Sequence, residues 1–198
     1  MDSTIYALNK SNNVTTIYNP SPMPSFQEVK DFPWDKIDWL IVNETEAEDL
    51  YKIFSGHEST VNLGKSCSEI LLLLSAQPAL ATTNVICTLG KDGVLAFIPA
   101  FHQQQSEDHA PSFIQLPAAV LQGTTRDTTG AGDCFTGYFV QGLMEFGPQA
   151  KPGHGIEESD IVNILKTCVQ AAGICVERPG TIDSVPTMLE VKTRLLGR

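Results

Sequence analysis

The chain has 198 residues, 42% of them hydrophobic, enough for one domain with a substantial core and too few for two complete ones. Its 13 Lys and Arg stand against 23 Asp and Glu, a formal charge of -10. The basic residues never form more than an isolated pair, which argues against nucleic acid or an anionic membrane as the main partner but leaves room for a phosphorylated ligand in one electropositive pocket.

No signal-peptide pattern opens the chain, and the longest apolar stretch, EILLLLSA, is too short to cross a bilayer, so a cytoplasmic protein, in part nuclear, is expected. After a helix-like opening segment, VTTIY (14–18) reads as a strand that runs into the Pro-rich loop NPSPMPS. IDWLIV (37–42) reads as a second strand, apolar on both faces as a central parallel strand is. Helices over 45–54 and 65–76 and a strand over 84–89 complete a βαβαβ winding. Asp92-Gly93, between two strand-like runs, predicts a hairpin attached to this parallel sheet. A polar loop over 100–112 leads to a short strand near FIQLP. Phe135, Phe139, Leu143 and Phe146 then share one face of an amphipathic helix that Gly147-Pro148 should stop. A long helix over 158–177, the segment RPGTIDSVP and a closing helix over 187–196 follow.

Five cysteines, Cys67, Cys87, Cys134, Cys168 and Cys175, sit singly with no C-x-x-C spacing. They read as reduced, buried thiols. His57, His102, His109 and His154 have no zinc-like spacing, and HQQQSEDH reads as a solvated insertion before it reads as a metal cluster.

The chemistry gathers in RDTTGAGDCFTGYF (126–139). Gly130-Ala131-Gly132 precedes a helix, so unpaired first-turn N–H groups and the positive end of the dipole offer an anion site. A P-loop would need Gly-Lys-Ser/Thr here, and the dinucleotide fingerprint would need glycine where Phe135 stands. Asp133 is either an N-cap or a carboxylate that acts on substrate, and Asp127 brings a second carboxylate to the same loop. Asn43 and Glu46 have the spacing of a capping box, yet they leave the carboxyl end of a strand, where open α/β sheets bind ligands. Thr88-Leu89-Gly90 leaves the next strand in the same way, and three loops are expected to meet at one sheet edge.

These residues carry a resemblance. DTTGAGDCFTG matches the D-T-x-G-A-G-D core of the second signature of the PfkB-type carbohydrate kinases at every fixed position. NETEAE resembles that family's N-x-x-E motif, and VICTLGKDGVLAF its nucleotide-side hairpin. YNPSP, NETEAE and RPGTIDSVP together are most similar to the ribokinase branch.

The resemblance implies an α/β, ribokinase-like three-layer sandwich with a mostly parallel sheet, and a kinase that transfers the ATP γ-phosphate to the terminal hydroxyl of D-ribose. Asp133 would be the catalytic base at the sugar hydroxyl, and Gly130, Ala131 and Gly132 the anion hole. Asn43, Thr88, Gly90 and Gly132 would contact the nucleotide, with Glu46 holding Mg²⁺ through water. Asp127, Thr129, Cys175, Gly180 and Ser184 would surround a monovalent cation, K⁺; without the resemblance, Asp127 is a loop carboxylate paired with Arg126. ATP, ADP and a small sugar are the implied partners, with a homodimer in full-length members. The first strands, the small β lid and the G-G-x-x-x-N motif of the family have no counterpart here, so the chain is expected to be the C-terminal, nucleotide and catalytic-loop part. Another sugar or nucleoside kinase, or a noncatalytic nucleotide-binding fragment, are the alternative readings.

Overall fold

The computed structural model describes residues 2–10, 14–56, 64–102, 112–147 and 151–197. His57, Pro148 and residues 103–111, and with them the metal reading of HQQQSEDH, lie outside these. The chain divides into two compact units, Met1–Leu89 with Leu95–Ile114, and Gly90–Val94 with Gln115–Arg198.

The first unit opens with α1 (Asp2–Lys10), followed by β1 (Ile17–Tyr18), only the end of the run read from the sequence. Thr16 anchors it: its backbone N–H donates to Asp38 Oδ2 at 2.8 Å and its hydroxyl to the Lys36 carbonyl at 2.6 Å. A helix that the sequence reading missed, α2 (Phe26–Asp31), starts at Ser25 and Glu28, which form a reciprocal capping box. A 3₁₀ turn at Trp34–Lys36 leads to β2 (Trp39–Asn43) and α3 (Glu44–Ser55), which ends at Gly56 in the left-handed region, φ 70°. Next come α4 (Cys67–Ser75), capped by Ser66 and Glu69, and β3 (Asn84–Thr88). β1 pairs parallel with β2 and β2 with β3, in a register that sets Trp39 beside Asn84 and Asn43 beside Thr88.

Every residue of β2 and β3 before the last is buried, the pattern of parallel strands covered on both faces. Leu40, Val42, Leu50, Leu71, Leu74 and Val85 form the core around them. Tyr18, Phe32 and Trp34 add an aromatic cluster, with the Tyr18 and Phe32 rings stacked at 4.7 Å and Trp34 donating to the Val29 carbonyl at 2.7 Å.

β4 (Val94–Phe97), α5 (Pro99–His102) and β5 (Ile114–Leu116) follow, and the sheet order is β1-β2-β3-β4-β5. The link from β3 to β4 is too short for a crossover, so this pair is the expected antiparallel departure. Its turn is not a two-residue Asp-Gly hairpin. A 3₁₀ turn at Gly90–Asp92 comes first, and Gly93 leaves it with φ 102°.

The second unit is built on α6 (Ala131–Met144) and α7 (Glu158–Val176), which pack together where Gly142 meets Ile164. Phe135, Phe139 and Leu143 are buried as read, but α6 ends before Phe146, and Gly147 closes the final turn with φ 80°. The short strands β6 (Lys151–Pro152) and β7 (Gly155–Ile156) join the helices. α8 (Met188–Leu196) closes the chain with Thr187 and Glu190 as its capping box. By length and composition α7 could cross a membrane, yet Ile161, Leu165, Cys168 and Ala171 along it are buried, the stripe of a core helix.

Candidate functional site

In the first unit the sheet edge brings Asn43, Glu46 and Thr88 together. Asn43 ends β2 and caps α3, accepting the Glu46 N–H at 2.9 Å, while Glu46 Oε2 accepts the Asn43 N–H at 2.9 Å. The capping reading therefore holds. It uses only one Glu46 oxygen, and Oε1 takes no part in the box. Thr88 lies in register with Asn43 at the end of the neighbouring strand, its hydroxyl 3.4 Å from the Val42 carbonyl.

In the second unit, Gly90 is exposed with φ 54° and accepts the Gly93 N–H at 3.2 Å. Gly93 itself tolerates no side chain: a Cβ there would lie 2.0 Å from the Leu116 carbonyl oxygen.

The loop before α6 is stitched to the end of α7, where the Val176 carbonyl accepts the Arg126 N–H at 2.8 Å and the Asp127 N–H at 3.3 Å. Asp127 turns its carboxylate to backbone donors, Oδ1 accepting from Thr129 N–H at 2.9 Å and Oδ2 from Gly180 N–H at 3.3 Å. The Thr129 backbone N–H, then the Thr129 side chain and the Gly180 N–H, hold this carboxyl below its usual range. Three of the five residues read as a cation site, Asp127, Thr129 and Gly180, thus meet directly. The other two meet each other: Ser184 Oγ, fully buried, lies 3.0 Å from Cys175 Sγ and donates to the Thr181 carbonyl at 2.6 Å. Hard oxygen donors in this loop suit an alkali cation better than a soft metal. Among the described residues, no group of three or more His, Cys, Asp or Glu side chains is placed to hold a metal ion.

The start of α6 departs from the N-cap reading of Asp133. Gly130 is the N-cap, with φ 79° and ψ -2°, and no side chain caps the turn. A Cβ at Gly130 would find its nearest neighbour, Thr181 Cα, at 3.5 Å, so the left-handed backbone and not crowding calls for glycine. Gly132 differs. Its φ lies outside the left-handed region and a Cβ there would meet nothing within 4 Å. Neither backbone nor packing demands glycine in this helical turn, where it costs roughly 0.5–1 kcal/mol relative to alanine. What its absent side chain leaves open is the approach to the first-turn N–H groups. Asp133, one residue on, is exposed, while Cys134 and Phe135 turn into the core. An uncapped turn, a bare backbone and an acceptor carboxylate are what an enzyme needs to hold a phosphoryl group beside a hydroxyl.

The contacts that hold this loop were not legible in the sequence. Glu177, at the end of α7, accepts the N–H groups of Gln122 and Gly123 and pairs with Arg194 of α8. Burial pushes its carboxyl up, but the Arg194 guanidinium and the two N–H groups outweigh burial and hold it below the usual value. Tyr138 on α6 donates to the Pro186 carbonyl at 2.6 Å, fixing the RPGTIDSVP segment. Each partner lies dozens of residues from the loop it positions, so no local spacing marks it.

Fold and topology together define a domain of the ribokinase-like α/β class. The pfkB family carbohydrate kinase profile matches residues 2–188, and the chain belongs to that family. A ribokinase from Lactococcus lactis subsp. lactis (strain IL1403) is 28% identical over 94% of this chain and 47% of its own length. Fructokinase-1 from Zea mays is 28% identical over 80% of this chain and 39% of its own. The crystal structure of a ribokinase from Cryptococcus neoformans var. grubii serotype A in complex with ADP superposes with a TM-score of 0.77 at 38% identity, over 98% of this chain and 57% of that one. The chain spans about half the length of these relatives.

Proposed function

We propose that the chain is the nucleotide and catalytic-loop part of an ATP-dependent sugar kinase that transfers the γ-phosphate to the terminal hydroxyl of D-ribose. The observation that carries this reading is the start of α6, where Gly132 has no structural reason to be glycine and Asp133 stands exposed beside it. The N–H groups behind Gly130, Ala131 and Gly132 stabilise charge on the transferring phosphoryl group, and Asp133 takes the proton of the attacking hydroxyl. A carboxylate of ordinary basicity suffices, because phosphoryl transfer is largely a matter of positioning and charge stabilisation. Ribokinases among the similar proteins favour ribose as acceptor, and the fructokinase among them makes fructose the first competitor.

In the first unit, Asn43 and Thr88 serve the nucleotide, and Glu46 offers its Oε1 to the waters of Mg²⁺, an ion that supplies neutralisation of phosphate charge. In the second unit Gly90 serves the nucleotide. Asp127, with the carbonyls of Thr129, Cys175 and Gly180 and an oxygen of Ser184, would hold K⁺, which supplies positive charge behind the anion-binding loop.

ADP release by the purified chain with ribose, fructose and adenosine tests the activity. Turnover with ribose above the other two is the expected result, and none with any acceptor removes catalysis from this chain. A second reading, a nucleotide-binding module without catalysis, is favoured by the share of its relatives that the chain spans. It requires a rise in melting temperature with Mg·ATP in the absence of turnover.

A further inference from the structure

Two of the five thiols form a close pair of which one member is only partly buried. Cys67 is the first residue of α4 and Cys87 lies near the end of β3, and their sulfurs are 3.2 Å apart in the first unit. Cys67 is half-buried beside the exposed residues Gly64, Lys65 and Ser66, whereas Cys87 is fully buried. One residue of the pair is therefore partly exposed and the other is not. The contact with Cys87 lowers the pKa of Cys67, at a helix N-terminus that also favours a thiolate, while contact with Cys67 and burial push Cys87 up. The Glu44 carboxylate opposes ionisation of both thiols, and Glu46 that of Cys87.

We propose that Cys67 and Cys87 are a redox modification site that closes to a reversible intramolecular disulfide, with Cys67 the attacking and Cys87 the resolving thiol. With hydrogen peroxide as oxidant, the Cys67 thiolate attacks one peroxide oxygen: an S–O bond forms, the O–O bond breaks, and hydroxide leaves as water after taking a proton. The Cys87 sulfur then attacks the Cys67 sulfenic acid. The S–S bond forms, the S–O bond breaks, and the departing hydroxide takes the Cys87 proton to give a second water. Two thiols lose two electrons, which the peroxide oxygens gain. The sulfurs need to close by only about 1.2 Å to reach a disulfide bond length of about 2.05 Å. The other three thiols differ: Cys134, Cys168 and Cys175 are all buried in the second unit, without an exposed partner to admit an oxidant.

The bridge fastens the first turn of α4 to β3 directly before Thr88, independently of any kinase activity. Its test is native oxidation of the reduced chain with hydrogen peroxide, then alkylation in denaturant and peptide mapping. The expected result is a loss of about 2 Da, one Cys67–Cys87 linked peptide, three alkylated thiols and full reversal by dithiothreitol. The oxidised chain should melt several degrees higher, because the bridge removes freedom from the unfolded state. Cys87→Ser should stop the reaction at a Cys67 sulfenic acid that dimedone traps. Should that buried variant fail to fold, Cys67→Ser, at a half-exposed position, must leave Cys87 an unreacted thiol. Oxidation of Cys67 to a sulfinic acid with Cys87 still alkylatable in the parent chain, or a linked peptide involving another cysteine, would overturn the proposal.

Discussion

Asp133 and Gly132 are adjacent residues whose proposed roles make opposite demands on the fold. Asp133→Asn keeps the shape and removes the basicity, so turnover should fall by about 10²-fold or more while the Mg·ATP-induced rise in melting temperature is retained. Undiminished ADP release would remove Asp133 as the base. Gly132→Ala places a methyl where nothing opposes it, and alanine is the better helix former, so unfolding in urea should show a gain of about 0.5–1 kcal/mol. The same methyl narrows the approach to the first-turn N–H groups, so nucleotide affinity should fall. A variant less stable than its parent would mean that glycine serves the fold after all. Gly130→Ala, by contrast, must adopt φ 79° and should cost roughly 1 kcal/mol.

At the scale of elements, the joints between α7, α8 and the loop before α6 set how firmly that loop is held. Glu190, in the first turn of α8, meets Arg178 just past α7, and the Arg178 guanidinium, then the Thr187 N–H and hydroxyl, push its carboxyl down to about 2. A carboxyl whose folded pKa is depressed adds stability above its unfolded value, which is lost as pH falls through the folded one. Glu190→Gln should therefore lower the melting temperature near neutral pH, and its deficit should shrink as pH falls from about 4.5 toward 2. A deficit independent of pH would show that shape and not charge matters at this joint. The turn before β4 gives a steric counterpart. Gly93→Ala must displace the Leu116 backbone while holding φ 102°, and should cost about 2 kcal/mol or more in chemical denaturation.

For the whole molecule, the sheet order leaves β1 at an end, with no further strand beyond it among the described residues. β1 is short, which blunts the hazard of an unpaired edge without removing it, and the exposed side chains of Val14 and Phe26 lie before and after it in the chain. The purified chain should self-associate with rising concentration in size-exclusion chromatography, and a concentration-independent monomer would contradict this.

Contacts of short range made much of this protein legible in its sequence. The box joining Asn43 to Glu46 lies within a single turn, so residue spacing predicts it. The buried stripe of α6 and the double-sided burial of β2 and β3 follow from hydrophobic period, and the D-T-x-G-A-G-D core points to the family that the profile match shows. Tertiary structure decided what lies across long chain separations: the grip of Glu177 on Gln122 and Gly123, the link from Asp127 to Gly180, the Leu116 carbonyl over Gly93, and the meeting of Cys67 with Cys87. It also decided against one of the two readings left open for Asp133, since Gly130 is the N-cap of α6 and no side chain caps that turn. The physical reason is common to all of these. A turn, cap or amphipathic stripe is set by neighbours along the chain, whereas the partner of a loop carboxylate or a buried thiol exists only once distant segments have packed.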